Sequence, residues 1–78
     1  MIKTYAKKAV KDIKKINNPD KLRIKLGIEE LPKGDVKKLI GHDNLYRLRV
    51  GVWRIIFSYA DKHTVLIEEI EPRGSIYK

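Results

Sequence analysis

The most constraining feature of this chain is the dipeptide Gly51-Val52, which interrupts a long stretch in which apolar and polar side chains largely alternate. The alternation runs through Leu45–Val50 before the dipeptide and through Trp53–Tyr59 after it. A period of two is typical of strands that bury one face. A two-residue loop with glycine in its first position suits a type II′ turn between antiparallel strands. The sequence therefore predicts a β-hairpin with a register set by this loop.

The predicted register decides which side chains share a face, because neighbouring residues of a strand point to opposite faces. It pairs three positions across the hairpin: Val50 with Trp53, Arg49 with Arg54, and Arg47 with Ile56. One face is apolar and is expected to pack on the rest of the protein: Tyr46, Leu48, Val50, Trp53, Ile55, Phe57 and Tyr59. The other face carries three arginines beside two further residues: Arg47, Arg49, Arg54, Ile56 and Ser58.

Arg49 and Arg54 face each other in this register. Like charges directly opposite on neighbouring strands destabilise a sheet. The pair therefore favours a site for an anion such as a phosphate, although a basic face exposed to solvent is the simpler alternative. A register shift of one residue would reverse the two faces.

Two helices are predicted before the hairpin. The first has one apolar stripe at helical spacing: Ala6, Ala9, Val10, Ile13 and Ile16. The second is expected to have Asn18 as its cap and Pro19 as its first residue, and to stop at Glu29–Pro32. Its apolar residues alternate, which would also suit a strand. As a helix it is apolar on two sides, with Leu22 and Leu26 on one and Ile24, Ile28 and Leu31 on the other. Such a helix is expected to contact something besides its own sheet.

The remaining segments complete an α+β domain. Ile2–Tyr5 gives a weak signal for a short strand, residues 36–41 are predicted to be an irregular connection, and residues 60–63 are predicted to be a turn before a third strand, Thr64–Ile70. Helices followed by strands predict two N-terminal helices packed on one face of a small antiparallel sheet. One domain spanning residues 1–78 is expected, and a chain this short is marginally stable alone, which favours a stabilising partner.

The charge of the chain predicts an anionic partner. It has 18 Lys and Arg against 10 Asp and Glu, a net charge of +8, which points to a nucleic acid or an acidic protein. No cysteine is present and the two histidines lack metal-ligand spacing, so we expect no disulfide, metal or cofactor. No apolar run approaches the ~20 residues of a membrane helix, and the N-terminus lacks a signal-peptide pattern. A cytoplasmic protein without membrane contact is expected.

Residues 39–57, LIGHDNLYRLRVGVWRIIF, resemble the hairpin core of the RelE/ParE toxin superfamily, and residues 72–78, PRGSIYK, resemble the Arg-then-Tyr tail of its RelE branch. The resemblance covers essentially the whole chain and implies the RelE-like fold. It also implies an mRNA endonuclease that cleaves on the ribosome without a metal and is neutralised by a cognate antitoxin. The implied partners are therefore the antitoxin, the ribosome and mRNA.

The resemblance implies roles for five residues. Arg47 and Arg49 match the two basic positions of the first hairpin strand and would hold RNA phosphates, with Arg49 also assisting the nucleophile. Arg54 matches the phosphate-binding arginine of the next strand, and Arg73 and Tyr77 match the tail residues that handle the leaving group and stack on a base. The implied catalytic set is thus Arg49, Arg54, Arg73 and Tyr77.

The chain departs from the family pattern in several places, among them a first strand that looks short. Val52 stands where a polar turn residue is common, and Glu71-Pro72 replaces a frequent Gly-His before the tail arginine. Two other functions stay open: a ParE-like inhibitor of DNA gyrase without nuclease activity, and an RNA-binding domain that does not cleave.

Overall fold

The first strand of the chain lies at one edge of a five-stranded sheet, beside the last strand. In the computed structural model, which describes residues 1–72, the elements follow in chain order: β1 (Ile2–Tyr5), α1 (Lys7–Lys14), α2 (Asp20–Glu29), β2 (Asp35–Lys38), β3 (Tyr46–Val50), β4 (Trp53–Asp61) and β5 (Thr64–Pro72). The strand order across the sheet is β1-β5-β4-β3-β2. β1 runs parallel to β5, and the other neighbours are antiparallel. The predicted α+β class, with helices on a mostly antiparallel sheet, is confirmed.

The predicted hairpin register is confirmed at every pair. Val50 lies opposite Trp53, Arg49 opposite Arg54, and Arg47 opposite Ile56. Gly51 has a φ of 57°, a left-handed value that glycine adopts without strain. The loop chemistry therefore sets the register, as expected from the Gly51-Val52 dipeptide.

The inner face of the hairpin packs against both helices to form the core. The buried cluster has members from the helices, from the segments that follow them, and from β3, β4 and β5: Ala9, Ile13, Ile16, Ile24, Ile28, Leu31, Leu48, Ile55, Phe57, Val65, Ile67 and Ile70. Tyr46, Val50, Trp53 and Tyr59 pack around it, half-buried. The apolar face predicted for the hairpin is therefore the core face. The sheet face that the helices leave uncovered is called the outer face below.

The second segment is a helix rather than a strand, as predicted, and its two apolar sides have different fates. Ile24 and Ile28 are fully buried against the sheet, whereas Leu22 and Leu26 are each 56% exposed. Gly27 allows the close approach of α2 to β3, because a Cβ there would lie 2.8 Å from Val50 Cγ2. The cap prediction was wrong by one residue: the helix begins at Asp20 and Pro19, not Asn18, takes the cap position.

Two predictions about the connections were wrong. The segment from Val36, predicted to be irregular, contains β2, which pairs with β3 through Val36 opposite Leu48 and Lys37 opposite Arg47. A short, lysine-rich strand is common at a sheet edge, and its local sequence signal is weak because it buries little. β4 continues to Asp61, which pairs with Thr64, so the turn predicted at 60–63 is shorter than expected. Within residues 1–72 no helix has the length and apolar character needed to cross a membrane.

Candidate nucleic-acid interface

Four charged side chains form one row across four strands of the outer face. Asp35 on β2 lies opposite Arg49 on β3, Arg49 opposite Arg54 on β4, and Arg54 opposite Glu71 on β5. Directly paired residues on neighbouring strands share a face of the sheet. Their chain neighbours Leu48, Ile55 and Ile70 belong to the core, so the row lies on the outer face. We call these four residues the charged row.

The charged row places an acid at each end and two arginines at its centre. The predicted juxtaposition of Arg49 and Arg54 is confirmed. Neither acid was predicted, Asp35 because β2 gave no clear strand signal and Glu71 because the four-residue turn predicted at 60–63 implies a different register for β5. The row explains how the sheet tolerates two opposed cations, since each has a carboxylate on its other side.

Arg54 is held in place while keeping part of its donor capacity free. Its side chain is 27% exposed, and its Nε lies 3.7 Å from Glu71 Oε1. That separation is an ion pair but is longer than a hydrogen bond. Nε is buried and has no hydrogen-bond partner within residues 1–72. A buried donor without an acceptor is costly. An anionic oxygen can reach the exposed part of the side chain, and a hydrogen bond to the guanidinium there would be charge-assisted.

Arg49 is the exposed cation of the charged row. Arg49 is exposed, whereas its chain neighbours Leu48 and Val50 are buried and half-buried. Among the described residues its side chain makes no hydrogen bond, and its charge contributes through space to the lowered pKa of the Asp35 carboxyl. The guanidinium can therefore bind a phosphate without first breaking a contact.

Arg47 differs from the other two arginines of the hairpin. The strand alternation predicted it on an open basic face, but it is only 7% exposed. Its Nη1 donates to the backbone oxygen of Asp35 at 2.9 Å and to Asp35 Oδ1 at 3.1 Å. The hydrogen bond from Arg47 is the main reason that the pKa of Asp35 lies below its ordinary value, while desolvation acts in the opposite direction. The unpredicted strand β2 supplies this partner, so Arg47 joins the edge strand to the sheet.

The other candidate residues have different positions. Ser58, expected on the outer face, donates a hydrogen bond from Oγ to Glu68 Oε2 at 2.8 Å. Arg73 and Tyr77, the remaining members of the implied catalytic set, lie outside the described residues 1–72. The geometry of the interface is therefore known for Arg47, Arg49 and Arg54.

A second surface lies on the helix side of the molecule. Leu26 of α2 lines a cleft of about 320 Å³ between this helix and the edge of the sheet, together with Leu48 and Val50 and with charged residues that include Asp35 and Arg49 of the charged row. Leu22 is exposed one turn earlier on the same helix. The two-sided apolar pattern of α2 thus leaves an exposed apolar strip beside a cleft.

Comparison with known proteins gives a consistent result. No protein-family model matches the chain. A curated protein of Methanocaldococcus jannaschii named Toxin RelE3 is 38% identical over 81 aligned residues, which cover 94% of this chain and 91% of that protein.

Two solved structures share the fold over nearly the whole chain. The crystal structure of a RelB-RelE antitoxin–toxin complex from Methanococcus jannaschii has a TM-score of 0.79 and 37% identity, covering 95% of this chain and 94% of its counterpart. The crystal structure of an archaeal RelE-RelB complex from Pyrococcus horikoshii has a TM-score of 0.71 and 29% identity, covering 94% of each chain.

Proposed function

The chain belongs to the RelE family of toxins from toxin–antitoxin systems, and we propose on this premise that it cleaves mRNA on the ribosome and is neutralised by an antitoxin. The observation that carries the proposal is the centre of the charged row. There, exposed Arg49 lies opposite Arg54, whose side chain is 27% exposed. Two opposed guanidiniums with free donors suit the bridging phosphates of an RNA backbone.

The reaction we propose is attack of a ribose 2′-hydroxyl on the adjacent phosphorus. The bond from phosphorus to the 5′-oxygen breaks, which leaves a 2′,3′-cyclic phosphate and a 5′-hydroxyl. Negative charge grows on the phosphorane-like transition state, and preorganised cations stabilise that charge. We assign this role to Arg54 and Arg73, with Arg73 close to the leaving oxygen. Arg49 holds the neighbouring phosphate, and Tyr77 stacks on or orients a base.

We propose a supporting role for Arg47. Its hydrogen bonds with Asp35 occupy Nη1 and hold β2 against β3. A side chain that is 7% exposed has little surface to offer a phosphate. In this proposal Arg47 keeps the sheet edge in place beside Arg49, and the RNA is held by Arg49 instead.

We propose that the antitoxin binds the exposed side of α2. Leu22 and Leu26 are each 56% exposed there, beside a cleft. Adjacent exposed apolar side chains that border a cleft are typical of a protein–protein interface. The structures of related toxins were solved as complexes with RelB, which supports a partner of this kind. With a net charge of +8, the chain would attract an acidic antitoxin.

Primer extension on a defined mRNA, with and without ribosomes, tests the proposed activity. We expect cleavage only when ribosomes are present, and a rate lower by about 10²–10³ in Arg54→Ala. Lys62→Ala is the control, because Lys62 is an exposed cation in the turn between β4 and β5, at the end of β4 that is far from Arg54. We expect it to cleave at the wild-type rate. Inhibition of gyrase supercoiling without mRNA cleavage would contradict the proposal and favour a ParE-like function, and RNA binding without cleavage would leave only the binding role.

A further inference from the structure

The proposed cleavage needs a group that removes the proton of the 2′-hydroxyl. Arginine stays protonated across the whole pH range in which proteins work and is therefore a poor general base. The outer face offers two carboxylates in the charged row, Asp35 and Glu71. Their hydrogen bonding distinguishes them. Asp35 Oδ1 already accepts a hydrogen bond from Arg47, whereas Glu71 accepts none within residues 1–72.

We propose that Glu71 is the general base of this reaction, an inference that rests on the proposed function. A Glu71 carboxylate oxygen takes the proton of the 2′-hydroxyl as the 2′-oxygen forms its bond to phosphorus. The electron pair of the broken bond leaves with the 5′-oxygen, which takes a proton from water. Glu71 then releases its proton to solvent, so that atoms and charge balance without any further reactant.

The distance between Glu71 and Arg54 suits a base that removes the 2′-hydroxyl proton beside an arginine that binds the phosphate. In a near-attack geometry the 2′-oxygen lies about 3–3.5 Å from the phosphorus. A phosphate that accepts a hydrogen bond from Arg54 therefore brings its attacking hydroxyl within a few ångströms of the guanidinium. Glu71 Oε1 lies 3.7 Å from Arg54 Nε, so the carboxylate is within the same radius.

The electrostatics of the charged row make a carboxylate tolerable beside a phosphate. Two arginines at the centre of the row offset the repulsion between Glu71 and the anionic backbone. Glu71 is partly exposed, at 28% of its side chain, which lets a substrate hydroxyl reach it. The charged groups that face it are Arg54 on β4 and, one strand further, Arg49 on β3. On the same strand, Glu69 lies two residues before Glu71. On the core side of the sheet, Asp12 of α1 and Lys15 at the C-terminal end of α1 lie beside Ile70 and Pro72, the chain neighbours of Glu71.

The chief alternative is that Glu71 acts only through Arg54, as the counter-charge that positions the guanidinium. The two roles differ in their pH dependence. A general base makes the rate fall as the pH falls, and removing the base removes this acidic limb of the profile. A positioning residue changes the rate but leaves a limb that belongs to another group.

The test measures single-turnover cleavage of ribosome-bound mRNA from about pH 4 to about pH 8 for the wild type, Glu71→Gln and Glu69→Gln, a range that includes the ordinary titration of a glutamate. Glu69 is the matched control, because it lies two residues earlier on β5 and pairs with Lys8 at 3.5 Å, away from the arginines. We expect Glu71→Gln to lower the rate by about 10²–10⁴ and to lose the acidic limb, with ribosome binding unchanged or tighter. We expect Glu69→Gln to match the wild type. Glu71→Asp, which keeps a carboxylate, should restore the limb at a reduced rate, and it serves as the test if the glutamine variant does not fold.

Three results would overturn the inference while the proposed function stands. Glu71→Gln could cleave at the wild-type rate, or it could cleave slowly with a rate that still falls in acid. Glu71→Asp could cleave with a rate that does not fall in acid. A wild-type chain that does not cleave ribosome-bound mRNA would overturn the proposed function and this inference together.

Discussion

Arg47 and Arg49 lie two residues apart on β3, yet the structure predicts opposite consequences when each is replaced by alanine. Arg47 is 7% exposed and donates two hydrogen bonds to Asp35. Arg49 is exposed and faces Arg54. We expect Arg47→Ala to destabilise the fold, and Arg49→Ala to lower cleavage while leaving the fold intact.

The magnitude for Arg47→Ala follows from what its side chain contacts. Hydrogen bonds to charged groups contribute about 1.5–3 kcal/mol, and the lower part of that range applies because water can reach the exposed edge strand. The substitution also uncovers Ile56, its partner across the hairpin, which is 5% exposed. A total near 2 kcal/mol lowers the Tm of a chain of this length by roughly 8–16 °C. For Arg49→Ala, a change within about 0.5 kcal/mol is expected, because loss of a surface charge is offset by relief of the Arg54 repulsion.

Thermal unfolding of both variants, followed by circular dichroism, tests the difference, and the ribosome-dependent cleavage assay runs in parallel. The stability gap between wild type and Arg47→Ala should also narrow in acid. The pKa of Asp35 is lowered in the folded state, so its contribution is present above the unfolded pKa and is lost as the pH falls through the folded value. Equal Tm values for the two variants at neutral pH would refute the reasoning, since the contacts of Arg47 would then contribute nothing.

Two further predictions concern the helices. Burial raises the pKa of Asp12, but hydrogen bonds from the Ile70 N–H and the Lys8 ammonium outweigh it and hold the pKa below its ordinary value. The stabilisation by the Asp12 carboxylate is lost as the pH falls, so urea unfolding should show Asp12→Asn less stable than the wild type at pH ~7 and equally stable near pH ~2. A difference in unfolding free energy that persists near pH ~2 would show that the negative charge of Asp12 is not its cause. Saturating antitoxin, at about 100 times its Kd, should stabilise the chain by about 2.7 kcal/mol. Leu26→Ser should weaken antitoxin binding in calorimetry without changing the Tm of the free chain, and an unchanged Tm on adding antitoxin to the wild type would sink the idea of a stabilising partner.

Local patterns were sufficient for much of the fold. The Gly51-Val52 loop and the alternation around it predicted the register that brings Arg49 opposite Arg54. The two-sided apolar pattern of α2 predicted that one apolar side would not pack on the sheet, and Leu22 and Leu26 form that exposed side. Both succeeded because the periods of helices and strands, and the geometry of a two-residue turn, are properties of neighbouring residues.

The acidic partners of the arginines could not be predicted from patterns of neighbouring residues. β2 gives a weak local signal, and it became a strand because β3 offered it hydrogen-bonding groups across the sheet edge. Glu71 reached Arg54 because β4 continues to Asp61, which shortens the turn, and because the pairing of β4 with β5 shifts between Tyr59 and Asp61 and again between Ile56 and Phe57. A turn spanning all of residues 60–63 would have placed Glu69 there instead.

The sequence alone thus determined that two arginines oppose each other on a sheet face that the core does not use. Tertiary structure alone decided that Arg47 is buried on Asp35 and that Glu71 flanks Arg54. The physical reason is that side-chain alternation is local, whereas the neutralisation of a charge depends on which distant strand lies beside it. Residues 35 and 71 meet the hairpin only through pairing across the folded sheet.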